Sequence, residues 1–179
     1  MGKDPVFVNP KRRWKRVLMN IEFKKFSEFQ RGIMYELLKD GYSFDSRYER
    51  DWIIKWKEED DFFYDNLQIA DECGFVTTLN GTPIGFICWD PRNMPDYIEI
   101  GHNCIATKYK GKTFGKMQLQ EAVNRITNKN VKKLIVTTDE QLIPAQKNYE
   151  SVGFSFVQKR KNEWNSEYAG KLMDYEIIL

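Results

Sequence analysis

Apolar residues at positions 23, 26, 29, 33, 34, 37 and 38 recur at close to the spacing of one helix face, which predicts a helix from Phe23 to Leu38 closed by "KDG". A second helical pattern runs from Ser46 to about Leu67, carrying Tyr48, Trp52, Ile53 and Trp56 on one side and the acidic run "EEDD" after them. Whether this is one helix or two stays open. Two tryptophans so placed suit core packing better than an acceptor pocket.

After "DECG" the period changes from helix to strand. "FVTTLNGTPIGFICWD" reads as two extended runs around Asn80-Gly81, the strongest short hairpin signal in the chain. "YIEIGHNCIAT", residues 97 to 107, is rich in β-branched and aromatic residues and reads as a third strand, with Gly101 inside it as a bulge or close-approach site. A helix from about Thr113 to Thr127 follows, with Gly115, Leu119, Ala122, Val123 and Ile126 on one face. "KKLIVTTD" is a buried strand, "IPAQKNYESVG" a short helix with Pro144 in its first turn and Gly153 as its stop, and "FSFVQKRK" and "KLMDYEIIL" finish as strands. No internal repeat, low-complexity tract or long linker interrupts this order, so a single domain over residues 1–179 is expected.

Composition narrows the function classes. A chain of 179 residues with 41% hydrophobic and 15% aromatic residues can bury a core, and 30% charged residues of nearly balanced sign make a mixed surface. The net charge of +2 does not point to a nucleic-acid partner. The basic N-terminal segment, residues 1–20, holds the densest basic patch, "PKRRWKRV" at 10 to 17; it suits either contact with an acidic partner or, more commonly, a solvated segment. No run approaches the ~20 apolar residues of a membrane span and no signal-peptide core is present, so a cytoplasmic protein without a membrane partner is expected. Cys73, Cys88 and Cys104 lack metal or redox spacing, and with a single histidine no metal site is expected.

The stretch "ATKYKGKTFGKMQL", residues 106 to 119, admits two phosphate-binding readings. From Ala106 it satisfies a relaxed P-loop, A-x-x-x-x-G-K-T, with the aspartate of "LIVTTD" behind it. Glycine is missing at 106, however, and an antiparallel hairpin precedes the loop where a parallel sheet is needed. From Lys110 the same letters give a basic turn opening a helix whose first amides suit a pyrophosphate, with Lys108, Lys110, Lys112 and Lys116 around it. A solvated lysine-rich loop capped by Thr113 is the plain alternative.

The order hairpin, "IEIGHNCIATKYKGKTFGKMQLQEAV", strand, then "PAQKNYESVGF" resembles the GNAT superfamily of N-acyltransferases, in detail over residues 73 to 179 and in outline before them. The resemblance implies a mixed α/β fold with a central, mostly antiparallel sheet flanked by helices and splayed near the cofactor. It also implies acetyl transfer from acetyl-CoA, a co-substrate, to an amine, with no metal. The family's pyrophosphate pattern Q/R-x-x-G-x-G/A falls on Lys110, Thr113 and Gly115, so the turn Lys110, Gly111, Lys112, Thr113, Phe114, Gly115 and Lys116 is the expected cofactor loop. Lys110 keeps arginine's charge without its fork. Thr113 stands where the family has glycine, so either its φ stays negative and its hydroxyl meets phosphate, or binding is weaker.

By the same resemblance, Asn103, Cys104 and Ile105 pair with the pantetheine arm, and an amide near Ile105 holds the thioester oxygen. Tyr149, in the fully matched signature Ala145, Tyr149, Glu150, Gly153, Phe154, is the implied general acid beside the CoA sulfur, and Glu99 the water-mediated base. His102 competes for that role, but strand alternation puts it on the opposite face from Glu99 unless Gly101 marks a bulge. Cys104 lacks a base partner and need not be a nucleophile; a thiol of unperturbed pKa about 8.5 is not required for direct attack. The expected acceptor is a small-molecule or peptide amine, which the acidic residues 58 to 61 would attract if they are not simply solvated. A catalytically idle acyl-CoA-binding module is the alternative of a different class, and a homodimer is left open.

Overall fold

The computed structural model describes residues 19–161 and 170–179; the basic run at 10–17 lies outside them. Seven strands form one sheet in the order β1-β2-β3-β4-β5-β7-β6. They are β1 (Ile21–Lys24), β2 (Gly74–Leu79), β3 (Thr82–Asp90), β4 (Ile98–Ile105), β5 (Lys133–Asp139), β6 (Ser155–Lys161) and β7 (Lys171–Ile178). The helices are α1 (Ile33–Gly41), α2 (Ser46–Asp65), α3 (Leu67–Glu72), α4 (Phe114–Thr127) and α5 (Ile143–Ser151).

Asn80 and Gly81 both take positive φ, 51° and 80°, the geometry a two-residue hairpin needs, and they join β2 to β3 as the sequence predicts. Every strand pair is antiparallel except β4 with β5. That parallel pairing covers only Ile98–Ile100 against Leu134–Val136, so past Ile100 and Val136 the two strands part. The sheet is thus mostly antiparallel and splayed at its middle, as expected, and its single parallel pair is not the sheet of a P-loop domain.

Two cores flank the sheet. Ile98, Ile100, Leu134 and Val136 face α4 and α5, packing on Leu119, Ala122, Ile126 and Tyr149. The opposite face of β2 to β4, with Val76, Phe86, Cys88 and Cys104, packs on α1, α2 and α3 through Met34, Leu38, Trp56 and Ala70. Trp56 is core and Trp52 packs against it, in line with the packing reading. The second helical region is two helices, broken at Asn66.

The expected helix over 23–38 is corrected. Residues 21–24 form an edge strand paired with β2, Ile21 opposite Leu79 and Lys24 opposite Val76. Phe26–Glu28 make one 3-10 turn, and the α-helix starts only at Ile33, after Gly32 at φ 101°. The apolar residues 23, 26 and 29 serve a strand, a turn and a cap, whose combined spacing imitates a helix face. Among the described residues no helix is long and apolar enough to cross a membrane.

Candidate active site

The first turn of α4 is built as an anion cradle. Gly111 and Thr113 have φ of 71° and 68°, which turns successive amides outward before the helix begins at Phe114. Among the described residues, no acceptor takes the amides of Gly111, Lys112, Thr113, Phe114, Gly115 or Lys116. They stand at the positive end of a 14-residue helix, which suits a pyrophosphate. Phe114 contributes only its backbone here, because its ring is buried on Ile84 and Ile105 and anchors the helix start. A side chain at Gly115 would meet the Asn148 amide nitrogen at 3.3 Å and Ile105 at 3.6 Å, so glycine lets α4 and α5 close up beside the cradle.

Two features of this loop bear on the cofactor reading. Thr113 does not keep a negative φ; it is left-handed, and its hydroxyl donates to the Lys112 carbonyl at 2.5 Å. Lys110 sends its ammonium to the carbonyl of Gly41 at the end of α1, 5.0 Å from the centre of the Phe44 ring, and that covering lowers its pKa. The turn before α4 is tied to α1 a second time through Thr107, whose amide and hydroxyl donate to Asp40, each at 2.6 Å.

Where β4 leaves β5, Asn103 and Tyr149 come together. Tyr149, carried on α5 directly after β5, is 5% exposed, and burial pushes its hydroxyl up to about 12, opposed by a hydrogen bond from the Asn103 side chain. Tyr42 lies close enough to be pushed upward by Tyr149, Cys104 and Asp139, after burial as the main cause. Cys104 is buried and its thiol is raised to about 12, chiefly by burial, rather than unperturbed; this makes a thiolate less accessible still. Ile105 sits opposite Gly85 of β3.

On the other face, simple strand alternation is broken by a bulge, the exception that Gly101 allowed, and the expected placement of His102 opposite Glu99 is corrected. β3 pairs Ile87 with Asn103 and Trp89 with Ile100, so two steps on β3 oppose three on β4, and the extra residue falls at Gly101–His102. The bulge reverses the alternation and puts His102 on the same face as Glu99, away from Tyr149. Glu99 is raised above the ordinary carboxylate range by burial first and by Asp90 and Asp174 next, while Arg160 and Arg92 oppose the rise. His102 is bound through its ring Nε2 to Glu59 of α2, and its amide donates to Cys88 Sγ at 3.4 Å.

Three of the four carboxylates of the acidic run are engaged within the fold, and Glu58 is exposed. Glu59 holds His102, Asp60 is buried and accepts two amides of α1, and Asp61 pairs with Arg31 at 2.7 Å. A cleft of about 380 Å³ opens instead between α1 and α2, lined by Glu36, Lys39, Asp40, Tyr42, Ser46 and Glu49, with Lys39 bridging to Glu49 at 3.0 Å. Gln118, fully buried under β3 and β4, is absent from the sequence reading; its one signal is an amide beside the apolar stripe of α4. Among the described residues no group of three or more His, Cys, Asp or Glu side chains is placed to hold a metal ion.

An amide cradle on a helix start, beside a split between two parallel strands in an otherwise antiparallel sheet, is the architecture of an acyl-CoA-dependent transferase. The model of the Acetyltransferase (GNAT) family matches residues 33–154, more than half of the chain, and the chain belongs to this family. No curated protein matches it by sequence. The fold is shared with a GNAT family acetyltransferase from Elizabethkingia anophelis solved with acetyl-CoA bound, at TM-score 0.64 and 18% identity over 90% of this chain and 98% of that one. It is shared with the GNAT acetyltransferase from Bacillus anthracis, TM-score 0.66 and 17% identity over 88% and 94%. The ribosomal-protein-S18-alanine N-acetyltransferase from Escherichia coli is also similar, TM-score 0.66 and 15% identity over 90% and 94%.

Proposed function

We propose that this protein transfers an acetyl group from acetyl-CoA to a primary amine by direct attack, in which Tyr149 assists the departing thiolate and Glu99 takes the amine proton through water. The observation that carries the reading is the position of Tyr149, buried on α5, the helix that follows β5 beyond the point where β4 and β5 part. The amine nitrogen bonds to the thioester carbonyl carbon, and collapse of the tetrahedral intermediate breaks the carbon–sulfur bond. The exposed amides of Gly111 to Lys116 bind the cofactor's pyrophosphate, and the Asn103–Ile105 segment, free of β5, lines its pantetheine arm.

Glu99 and Tyr149 lie on opposite faces of the sheet, so the amine and the thioester meet at the split from two sides. The rise at Glu99 suits a base, whereas the rise at Tyr149 keeps its hydroxyl protonated but makes it a weak acid. A carboxylate above its usual range holds a proton more firmly, and a tyrosine near 12 stays protonated at working pH. A CoA-like thiol near pKa ~8.5 is a stronger acid than that tyrosine, so Tyr149 acts by hydrogen-bonding the developing thiolate more than by full transfer.

Thermal unfolding with ligands, followed by thiol release across small amines and peptide N-termini, tests the reading. Acetyl-CoA at ~100 Kd should add about 2.7 kcal/mol to stability, and at least one amine should release free CoA thiol. Stabilisation without thiol release from any amine would make the chain an idle acyl-CoA-binding module. Greater stabilisation by Mg-ATP than by acetyl-CoA would overturn the assignment of the loop to acetyl-CoA.

A further inference from the structure

Gln118 is a polar side chain in the apolar interior of α4, with no exposed surface, between neighbours such as Leu119 and Ala122 that are equally buried. A buried amide is costly unless its hydrogen bonds are made, and here all are. Its Oε1 accepts from the Thr77 hydroxyl at 2.7 Å. Its Nε2 lies 2.8 Å from Asn103 Oδ1, 2.8 Å from the Phe86 carbonyl and 3.1 Å from the Cys104 carbonyl. Gly85 makes this approach feasible: a Cβ there would sit 2.9 Å from Gln118 Oε1 and 2.4 Å from the Cys104 carbonyl. β3 therefore gives up a side chain at the point where the Gln118 amide settles on β3 and β4.

The contact with Asn103 has a chemical consequence. An asparagine amide presents its oxygen on one side and its NH2 on the other, and the hydrogen-bond network decides which way round it sits. With Gln118 donating to Oδ1, the Asn103 NH2 is the group left to face the Tyr149 hydroxyl, and the Asn103 side chain holds that hydroxyl below where burial alone would push it. A flipped Asn103 would present its oxygen to Tyr149 and engage the tyrosine's only proton.

We propose that Gln118 is a positioning residue for the acetyl transfer: by donating to Asn103 Oδ1 it fixes the Asn103 amide with its NH2 toward Tyr149, which leaves the Tyr149 proton free for the leaving thiolate. Thr77 orients Gln118 in the same chain of bonds. The inference rests on Tyr149 serving the thiolate, as proposed above.

The test is a double-variant cycle in steady-state kinetics with Gln118→Leu, Tyr149→Phe and the pair. Misdirecting one hydrogen bond of about 1.4 kcal/mol should lower kcat about tenfold in Gln118→Leu, while KM for acetyl-CoA changes less than about twofold. The same substitution should cost nothing further once Tyr149 is phenylalanine. Thr77→Val, which keeps shape and removes the hydroxyl, serves as the second variant; it should lower kcat a few-fold with the same dependence on Tyr149. Losses that multiply in the paired variants, or full activity of both Gln118→Leu and Thr77→Val, overturn the role of Gln118 and leave that of Tyr149 standing. Full activity of Tyr149→Phe overturns both.

Discussion

Asp60, in the second turn from the end of α2, accepts the amide hydrogen of Met34 in the first turn of α1 at 3.0 Å, and that of Gly32 at 2.7 Å. A buried carboxylate thus caps a neighbouring helix that has no side-chain cap of its own, and it holds α1 on the sheet next to β4. The negative charge also complements the positive end of α1.

Asp60→Ala leaves two amides without their acceptor. Loss of a cap and of buried hydrogen bonds together should cost about 2 kcal/mol, and for a domain of this size a thermal midpoint lower by roughly 4–8 °C. Glu58→Ala, two residues away and exposed, should stay within about 0.5 kcal/mol. Thermal unfolding of the two variants side by side reads the difference, and equal small effects would mean that the capping bonds contribute nothing net.

Thr113→Gly should improve both stability and cofactor binding. A β-branched residue at φ 68° carries a left-handed penalty of about 1–2 kcal/mol that glycine does not. Glycine's added freedom in the unfolded chain returns about 0.4–1 kcal/mol, so the net gain should be up to about 1 kcal/mol. The side chain removed stands among the cradle amides, and acetyl-CoA affinity measured by calorimetry should rise with stability. A less stable variant would show that the Thr113 hydroxyl bond to Lys112 outweighs the strain.

The hairpin, β4, α4, α5 and the closing strands were legible because each carries a local signal: Asn80-Gly81, the β-branched run, Gly153 after a short helix. Strand β1 was not, because four residues at a sheet edge are defined by their partner β2 and not by their own period. The site divides in the same way. Tyr149 and the α4 turn are contiguous motifs, and their places follow from chain order. The pairing of Glu59 with His102 and the contacts of Gln118 with Thr77 and Asn103 join residues 43, 41 and 15 positions apart, which no local pattern encodes. Gly101 lies between: its presence in a strand suggests a bulge, but only the β3 register fixes where the extra residue sits.

Tyr149→Phe keeps the ring among Phe154 and Tyr175 and removes only the hydroxyl. If that hydroxyl stabilises the thiolate, kcat should fall about 10² to 10⁴-fold with acetyl-CoA affinity nearly unchanged. The loss should be smaller for an acyl donor whose thiol is more acidic, since a weaker base needs less help to leave. A loss independent of the leaving thiol's acidity would remove Tyr149 from the step.

Glu99→Gln should move activity and stability in opposite directions. Glu99 has a raised pKa in the folded protein, mainly through burial, so the native state holds its proton at pH values where the unfolded chain, near the ordinary ~4.3, has released it. The stability that the protonated carboxyl contributes is fully present below the unfolded value and is lost as pH rises through the raised folded value. Glutamine mimics the protonated form at every pH. The variant should therefore match the native protein below about pH 4 and unfold at a higher temperature near neutrality. Activity responds the other way, because the neutral side chain cannot accept a proton. A lysine-like amine is about one part in 2,500 neutral at pH 7, so kcat/KM of the variant should be low there and should recover as pH rises and solution supplies the free amine. In the native protein the acid limb of kcat/KM should fall above the ordinary carboxylate range. A variant that is stabilised but shows a pH-independent activity defect would leave the half-buried carboxyl of β4 without a role in taking the proton, and His102, brought to the same face by the bulge, would then be the group to substitute.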